Sequence, residues 1–136
     1  MATSAQITLT SDITDDSLSV NNTANLYLAG GTTDLNTLTS VTKVLESTDQ
    51  VDLIATGSIT TSHAYVYINN PSEDASEYFT ITIGSAGAGS PTDTEEIGRL
   101  YAGDFMFFPW DKDDDICVTP SVATKMTIEY LSLIHI

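Results

Sequence analysis

The chain has 136 residues, of which 19 are Asp or Glu and only four are Lys or Arg, which gives a net charge of −15. Four basic side chains cannot neutralise a run of phosphates, so the composition argues against binding to nucleic acids and to anionic membrane surfaces. The single cysteine, Cys117, excludes an internal disulfide and a cysteine zinc site, and the length suits one domain, residues 1–136.

The first twenty residues contain three aspartates and no basic residue, and the first lysine is Lys43. A secretory signal would need a positive start and a continuous apolar stretch, so we expect synthesis in a bacterial cytoplasm. The chain also contains 21 Thr and 14 Ser. Threonine suits the pleated surface of a sheet and serine favours turns, so the composition predicts strands rather than helices.

Short alternating segments begin the chain. Ile7 and Leu9 alternate with threonines, which predicts a first strand. Two further short strands are predicted at residues 18–20 and 26–28, on either side of an Asn-Asn turn at 21–22. Residues 34–46 fit either a helix or a loop followed by a strand. The many β-branched residues there favour the loop and the strand.

The second half alternates more clearly. A strand is predicted at 58–68, with three residues on the core side and three on the other, namely Ala64, Val66 and Ile68 against His63, Tyr65 and Tyr67. A second strand at 77–83 turns Phe79, Ile81 and Ile83 inward. Residues 97–101 and 104–110 are predicted to form a tight pair around Ala102-Gly103, followed by strands at 116–119 and 124–136.

Eight or nine short strands separated by turn signals predict an all-β, single-domain antiparallel sandwich, jelly-roll-like, with little or no helix. Residues 1–20 are interpreted as an N-terminal arm that reaches a neighbouring subunit.

The best metal candidate is the acidic turn at 111–115. Asp111, Asp113 and Asp115 stand at alternate positions, and Ca²⁺ binds several carboxylate oxygens that converge from one loop. The loop lacks the Gly and the terminal Glu of the helix–loop–helix calcium site. A solvated turn is therefore the alternative.

Catalytic patterns are weak, and we expect a protein that is not an enzyme. The two histidines, His63 and His135, are not accompanied by a nucleophile motif. Cys117 lies in an Ile-Cys-Val strand, which favours a buried, inert thiol. The only arginine, Arg99, fits either an ion pair between subunits or an internal one, for instance with Asp104.

Two segments are apolar on both faces, which is unusual for a sandwich that stands alone. They are the aromatic strand at 105–110 and the last strand of the chain. We therefore predict an interface with another subunit or a partner protein that comprises Phe105, Phe107, Trp110, Tyr130, Leu131, Leu133 and Ile136.

A resemblance spans nearly the whole chain. It is carried by ITLTSDITDD at 7–16, YVYINN at 65–70, EYFTITIG at 77–84, IGRLYAGDF at 97–105, Asp115-Ile116 and IEYL at 128–131. These segments resemble small β-sandwich structural proteins of tailed-bacteriophage virions, including capsid decoration (cement) proteins. The resemblance implies a structural role without catalytic residues.

The expected function is therefore that of a decoration subunit on the outer capsid surface, bound to the major capsid protein or other virion proteins, and assembled as a symmetric oligomer such as a trimer. One alternative is a subunit associated with the neck, tail or fibre. Another is a jelly-roll-like carbohydrate-binding module that uses Tyr65, Tyr67 and Trp110, with Ca²⁺ as a cofactor.

Overall fold

The structure, a computed structural model, describes residues 4–13, 16–27, 31–58, 64–84, 94–110 and 113–134. These residues form ten strands: β1 (Ser4–Ile13), β2 (Asp16–Asn25), β3 (Thr37–Leu45), β4 (Val51–Ile54), β5 (Ala64–Asn69), β6 (Tyr78–Gly84), β7 (Thr94–Tyr101), β8 (Phe105–Trp110), β9 (Asp115–Pro120) and β10 (Met126–Ile134). None of the described residues belongs to a helix long and apolar enough to cross a bilayer.

The strands form three antiparallel sheets. Within the described part of the chain, β1 and β2 pair only with each other, and this hairpin is called the arm. Sheet I has the order β3-β10-β5-β8, and sheet II has the order β4-β9-β6-β7. Two four-stranded sheets with this exchange of strands between them make an eight-stranded jelly roll. The prediction of an all-β antiparallel sandwich is confirmed.

The core lies between sheets I and II and follows the predicted alternation. Side chains from both sheets fill it, namely Leu45, Leu53, Ile54, Ala64, Val66, Ile68, Phe79, Ile81, Leu100, Trp110, Ile116, Val118, Met126 and Ile128. Along β5, Ala64, Val66 and Ile68 are buried while Tyr65 and Tyr67 between them are half-buried. Two-residue periodicity therefore assigns the inner and outer faces of β5 correctly.

Three local expectations differ from the structure. The Asn-Asn pair at 21–22 is not a turn but lies inside β2, where Asn22 pairs with Ile7 and Asn21 with Thr8. β4 was not predicted, because its four residues are too few to show a period. Of the strand predicted at 58–68, the part from Ala64 onward is β5, Ser58 lies in a bend rather than a strand, and residues 59–63 lie outside the described part of the chain.

The predicted turn at Ala102-Gly103 exists, but its two strands do not pair with each other. β7 pairs with β6 in sheet II, whereas β8 pairs with β5 in sheet I. The chain therefore crosses between the sheets here. Gly103 has a φ of +81°, which suits glycine, and Asp104 N donates to Tyr101 O over 2.9 Å. The Asp104 carboxylate accepts a hydrogen bond from Tyr101 N, also over 2.9 Å.

Candidate interaction surface

The outer face of sheet I carries a row of aromatic rings. Because alternate residues of β5 enter the core, Tyr65 and Tyr67 lie outside, opposite Pro109 and Phe107 of β8. The Tyr65 and Phe107 rings stack with centroids 5.7 Å apart. The Tyr67 and Phe105 rings lie 5.8 Å apart and tilted. Such pairs hold the rings in fixed orientations and make a firm apolar surface.

Leucines of β10 and β3 extend this row across the sheet. Leu131 pairs with Tyr67, and Leu133 lies between Tyr65 and Leu38 in the strand register. The aromatic face is defined here as Leu38, Tyr65, Tyr67, Phe105, Phe107, Leu131 and Leu133. Phe105 is 58% exposed and Leu38 57% exposed. None of the seven side chains is charged, and the exposed Glu129 lies beside them on the same face of sheet I, in register with Asn69.

The predicted interface residues divide between the two faces of sheet I. Phe105, Phe107, Leu131 and Leu133 lie on the aromatic face as defined above. Trp110 is only 4% exposed, and its indole Nε1 donates to Asp114 O over 2.9 Å in the core. Tyr130 packs against the core, and its burial raises the pKa of its phenol. Ile136 lies outside the described residues.

The predicted interface did not include Tyr65 and Tyr67, which were considered only for the carbohydrate-binding alternative, and it did not include Leu38. The ambiguity between helix and strand at 34–46 concealed Leu38, because a residue's face is undefined until the period is known. Once β3 is a strand, alternation places Leu38 on the side away from buried Leu45.

The arm lies beside the aromatic face. Its base is attached to the sandwich at Leu26 and Leu35, which are both buried, and Asn36 N donates to Ile134 O over 2.9 Å. Further out, Ile7 is 43% and Val20 45% exposed. Residues 5–8 of β1 and three aromatic side chains line a groove of about 370 Å³, namely Tyr67, Phe105 and Phe107.

The predicted calcium ligands are only partly described. Asp111 lies outside the described residues, and Asp113 is exposed at the turn. Asp115 is buried, and its Oδ1 accepts a hydrogen bond from Thr56 N. Among the described residues, no group of three His, Cys, Asp or Glu side chains is placed to hold a metal ion. The calcium site stays a prediction, which calorimetric titration with Ca²⁺ tests directly.

Cys117 is buried, as expected from its strand. Its Sγ donates to Asp52 Oδ1 over 3.3 Å. Burial and, secondarily, the hydrogen bond to Asp52 raise the pKa of the Cys117 thiol to about 12. The thiolate, which is the reactive form, is therefore suppressed. His63 and His135 lie outside the described residues.

We expect Cys117 to resist thiol reagents in the folded protein. A pKa of about 12 against an ordinary 9.0 lowers the thiolate fraction about a thousandfold near pH 8, and burial slows the reagent further. Because the folded-state pKa is raised, the stability from this group is fully present below about pH 9 and is lost as the pH rises towards about 12. Ellman's reagent applied with and without urea measures the protection; equal rates would contradict it.

Arg99 has an internal partner, but Asp104 is not the one. Its Nε lies 3.7 Å from Glu96 Oε1, and its guanidinium lies 4.8 Å from the centre of the Tyr78 ring. Asp104 instead closes the turn after β7. The pair with Glu96 is solvent-exposed, so it contributes little to stability.

Comparison with known proteins gives little beyond the fold. No protein-family model and no curated protein sequence matches the chain. Among solved structures, the chain is similar to the crystal structure of the Yersinia pseudotuberculosis-derived mitogen, with 11% identity and a TM-score of 0.43. The similarity covers 73% of this chain and 86% of the mitogen chain.

Proposed function

We propose that this protein is a structural subunit of a bacteriophage virion, specifically a decoration subunit that binds the outside of the capsid as a homo-oligomer. The observation that carries the proposal is the aromatic face, an apolar patch of half-buried rings and leucines in which Phe105 and Leu38 are more than half exposed, on a chain of net charge −15. Contiguous exposed apolar surface of this kind typically marks a site of protein–protein contact. The proposal is for a non-enzymatic role.

The proposed mechanism is the addition of buried surface across joints between capsid proteins. Each square ångström of apolar surface removed from water stabilises the contact by about 25 cal/mol. A subunit that binds only the assembled shell stabilises that shell by mass action. Internal pressure from packaged DNA would then have to break these contacts as well as those within the shell.

A virion subunit of the neck, tail or fibre is the second candidate, since the same face would serve there. A carbohydrate-binding module is favoured less, for a geometric reason. Tyr65 and Tyr67 lie on the outer face of sheet I, whereas Trp110 is buried on its inner face. The three rings therefore do not form one stacking platform for a sugar.

The copy number per particle tests the proposal. Quantitative mass spectrometry of virions purified from an infected culture compares this chain with the major capsid protein. A decoration subunit is expected at on the order of hundreds of copies, in a fixed ratio set by the symmetry of the shell. About a dozen copies would instead assign it to a neck or tail ring. Absence from the particle would overturn the virion proposal.

We expect self-association to be weaker at low salt. Copies that each carry a charge of −15 repel one another, and the screening length falls from about 30 Å at 0.01 M salt to about 8 Å at 0.15 M. An apolar interface contains few ion pairs that salt would weaken. Sedimentation equilibrium should show tighter association as NaCl is raised over this range, whereas dissociation by salt would indicate that ion pairs hold the oligomer.

A further inference from the structure

The arm is a pair of strands with no ladder to either sheet of the sandwich. An isolated two-stranded hairpin is at best marginally stable in water, so such a hairpin needs an apolar surface to pack on. Part of its own surface is apolar and exposed, at Ile7 and Val20. The register pairs Leu9 with Val20 and Ile7 with Asn22, so positions 7, 9, 20 and 22 share one face of the hairpin.

Within one subunit, the arm approaches the aromatic face without closing on it. Residues 5–8 of β1 and the side chains of Tyr67, Phe105 and Phe107 line the two sides of an open groove of about 370 Å³. Ile7 lines this groove and is still 43% exposed. Within one chain, the open groove therefore leaves apolar surface of the arm and of the aromatic face exposed to water.

We propose that the arm packs on the aromatic face of a second copy of this chain, so that neighbouring copies exchange arms. Exchange of an identical element between copies would let each arm pack on its neighbour's aromatic face instead of lying beside the face of its own subunit. The inference rests on the proposed function and adds to it that a second copy of this chain is the partner of the aromatic face.

The lining of the groove is compatible with a second acidic copy as the occupant, because none of its side chains is charged. A basic partner would bind where carboxylates are exposed. None of the side chains that line the groove carries a carboxylate. Two acidic copies repel one another wherever their carboxylates meet. The side chains that line the groove and the exposed apolar residues of the arm carry no charge. Two copies can therefore make contact there without placing like charges against each other.

The surface area that an exchange of arms would bury is also large enough for a stable interface. An antiparallel strand of ten residues is about 34 Å long and a strand pair about 10 Å wide, so one face of the arm covers about 340 Å². Reciprocal exchange between two copies removes about 1,300 Å² from water, counting both arms and both faces they cover, which is within the range of stable interfaces. A single arm packed on one face would fall below that range.

Mixing two variants that each carry one added cysteine tests the exchange. Ile7→Cys and Phe105→Cys place one thiol on the arm and one on the aromatic face, on different chains, so a mixed disulfide forms only by contact between copies. The buried Cys117 remains as a thiol that does not compete. Ile97→Cys replaces an equally exposed residue on sheet II and is the matched partner for the control mixture.

Under mild oxidation, the Ile7→Cys and Phe105→Cys mixture is expected to give the mixed dimer at least about tenfold faster than the Ile97→Cys and Phe105→Cys mixture. Equal rates would overturn arm exchange. In sedimentation equilibrium, Ile7→Ser should weaken self-association about tenfold, while Thr23→Ser, in the exposed part of β2, should leave it unchanged. Similar effects of the two would also overturn it.

These measurements use purified protein without a shell, so they are separate from the proposed capsid role. Loss of the mixed dimer with the protein still abundant in virions would reject arm exchange alone. A mixed dimer from a protein that is absent from virions would reject the virion role and retain the exchange.

Discussion

Replacing Phe79 with alanine is expected to lower the free energy of unfolding by about 3–5 kcal/mol. Phe79 is fully buried in β6, a strand with neighbours on both sides in sheet II, and its ring is part of the core between the sheets. Its removal leaves a cavity that close-packed neighbours fill only in part. Since the total free energy of unfolding of a domain is about 5–15 kcal/mol, urea denaturation should show a large shift of the midpoint.

Phe105→Ala is the matched control, because it removes the same ring from the aromatic face. Phe105 is more than half exposed, so its loss should change the unfolding free energy of the monomer by less than about 1 kcal/mol. It should instead weaken self-association. If both variants destabilise the monomer equally, the aromatic face is part of the folding core and cannot be a docking surface.

The elements that were predicted correctly are those with a visible period. β5 alternates buried and half-buried residues along its whole length, and β6 places Phe79 and Ile81 inward as expected. Apolar and polar residues alternate in any strand that has one face in the core and the other in solvent. The pattern can therefore be read without knowing which strands are its neighbours. The composition rich in threonine adds the class of fold, because β-branched residues suit sheets.

Strand pairing was not predictable in the same way. The turn at 102–103 is a local signal, and its glycine does adopt a positive φ. The strands on either side of it do not pair with each other, because β7 pairs with β6 in sheet II and β8 pairs with β5 in sheet I. The arm shows the reverse case. A long ladder with β1 keeps Asn21 and Asn22 extended, although their local preference is for turns.

The interface was partly predictable for a related reason. The strand at 105–110 is apolar on both faces, so its sequence does not say which side meets the core. Its pairing with β5 decides this, by placing Phe107 opposite the outward Tyr67. Trp110 then falls on the inner side. The sequence indicates a surface on this strand, and the register selects its members.

Asn70→Ala is expected to lower the free energy of unfolding by about 2–4 kcal/mol, because two hydrogen bonds would lose their partner. Asn70 is completely buried after β5. Its Nδ2 donates to Leu100 O over 3.0 Å, and its Oδ1 accepts a hydrogen bond from Ser72 N over 3.2 Å. Alanine would leave a buried carbonyl and an amide unpaired, which costs more than the bonds themselves contribute.

Asn69→Ala is the matched control at the adjacent position. The Asn69 amide donates to Glu129 Oε2 at an exposed site, where water replaces it at a cost of less than about 1 kcal/mol. Equal urea midpoints for the two variants would contradict the role given to Asn70.

Asn70 also connects the core to the proposed interface. In the crossing from sheet II to sheet I, Gly103 N donates to Asn70 O and Asn70 N donates to Asp104 O. The Asn70 side chain donates to Leu100 O near the end of β7. Phe105 follows that crossing directly. We therefore expect Asn70→Ala to weaken self-association as well as stability, at temperatures where the protein is still folded. Sedimentation equilibrium of Asn70→Ala against the unchanged protein should show this weakening, because a displaced crossing moves the Phe105 ring away from Tyr67.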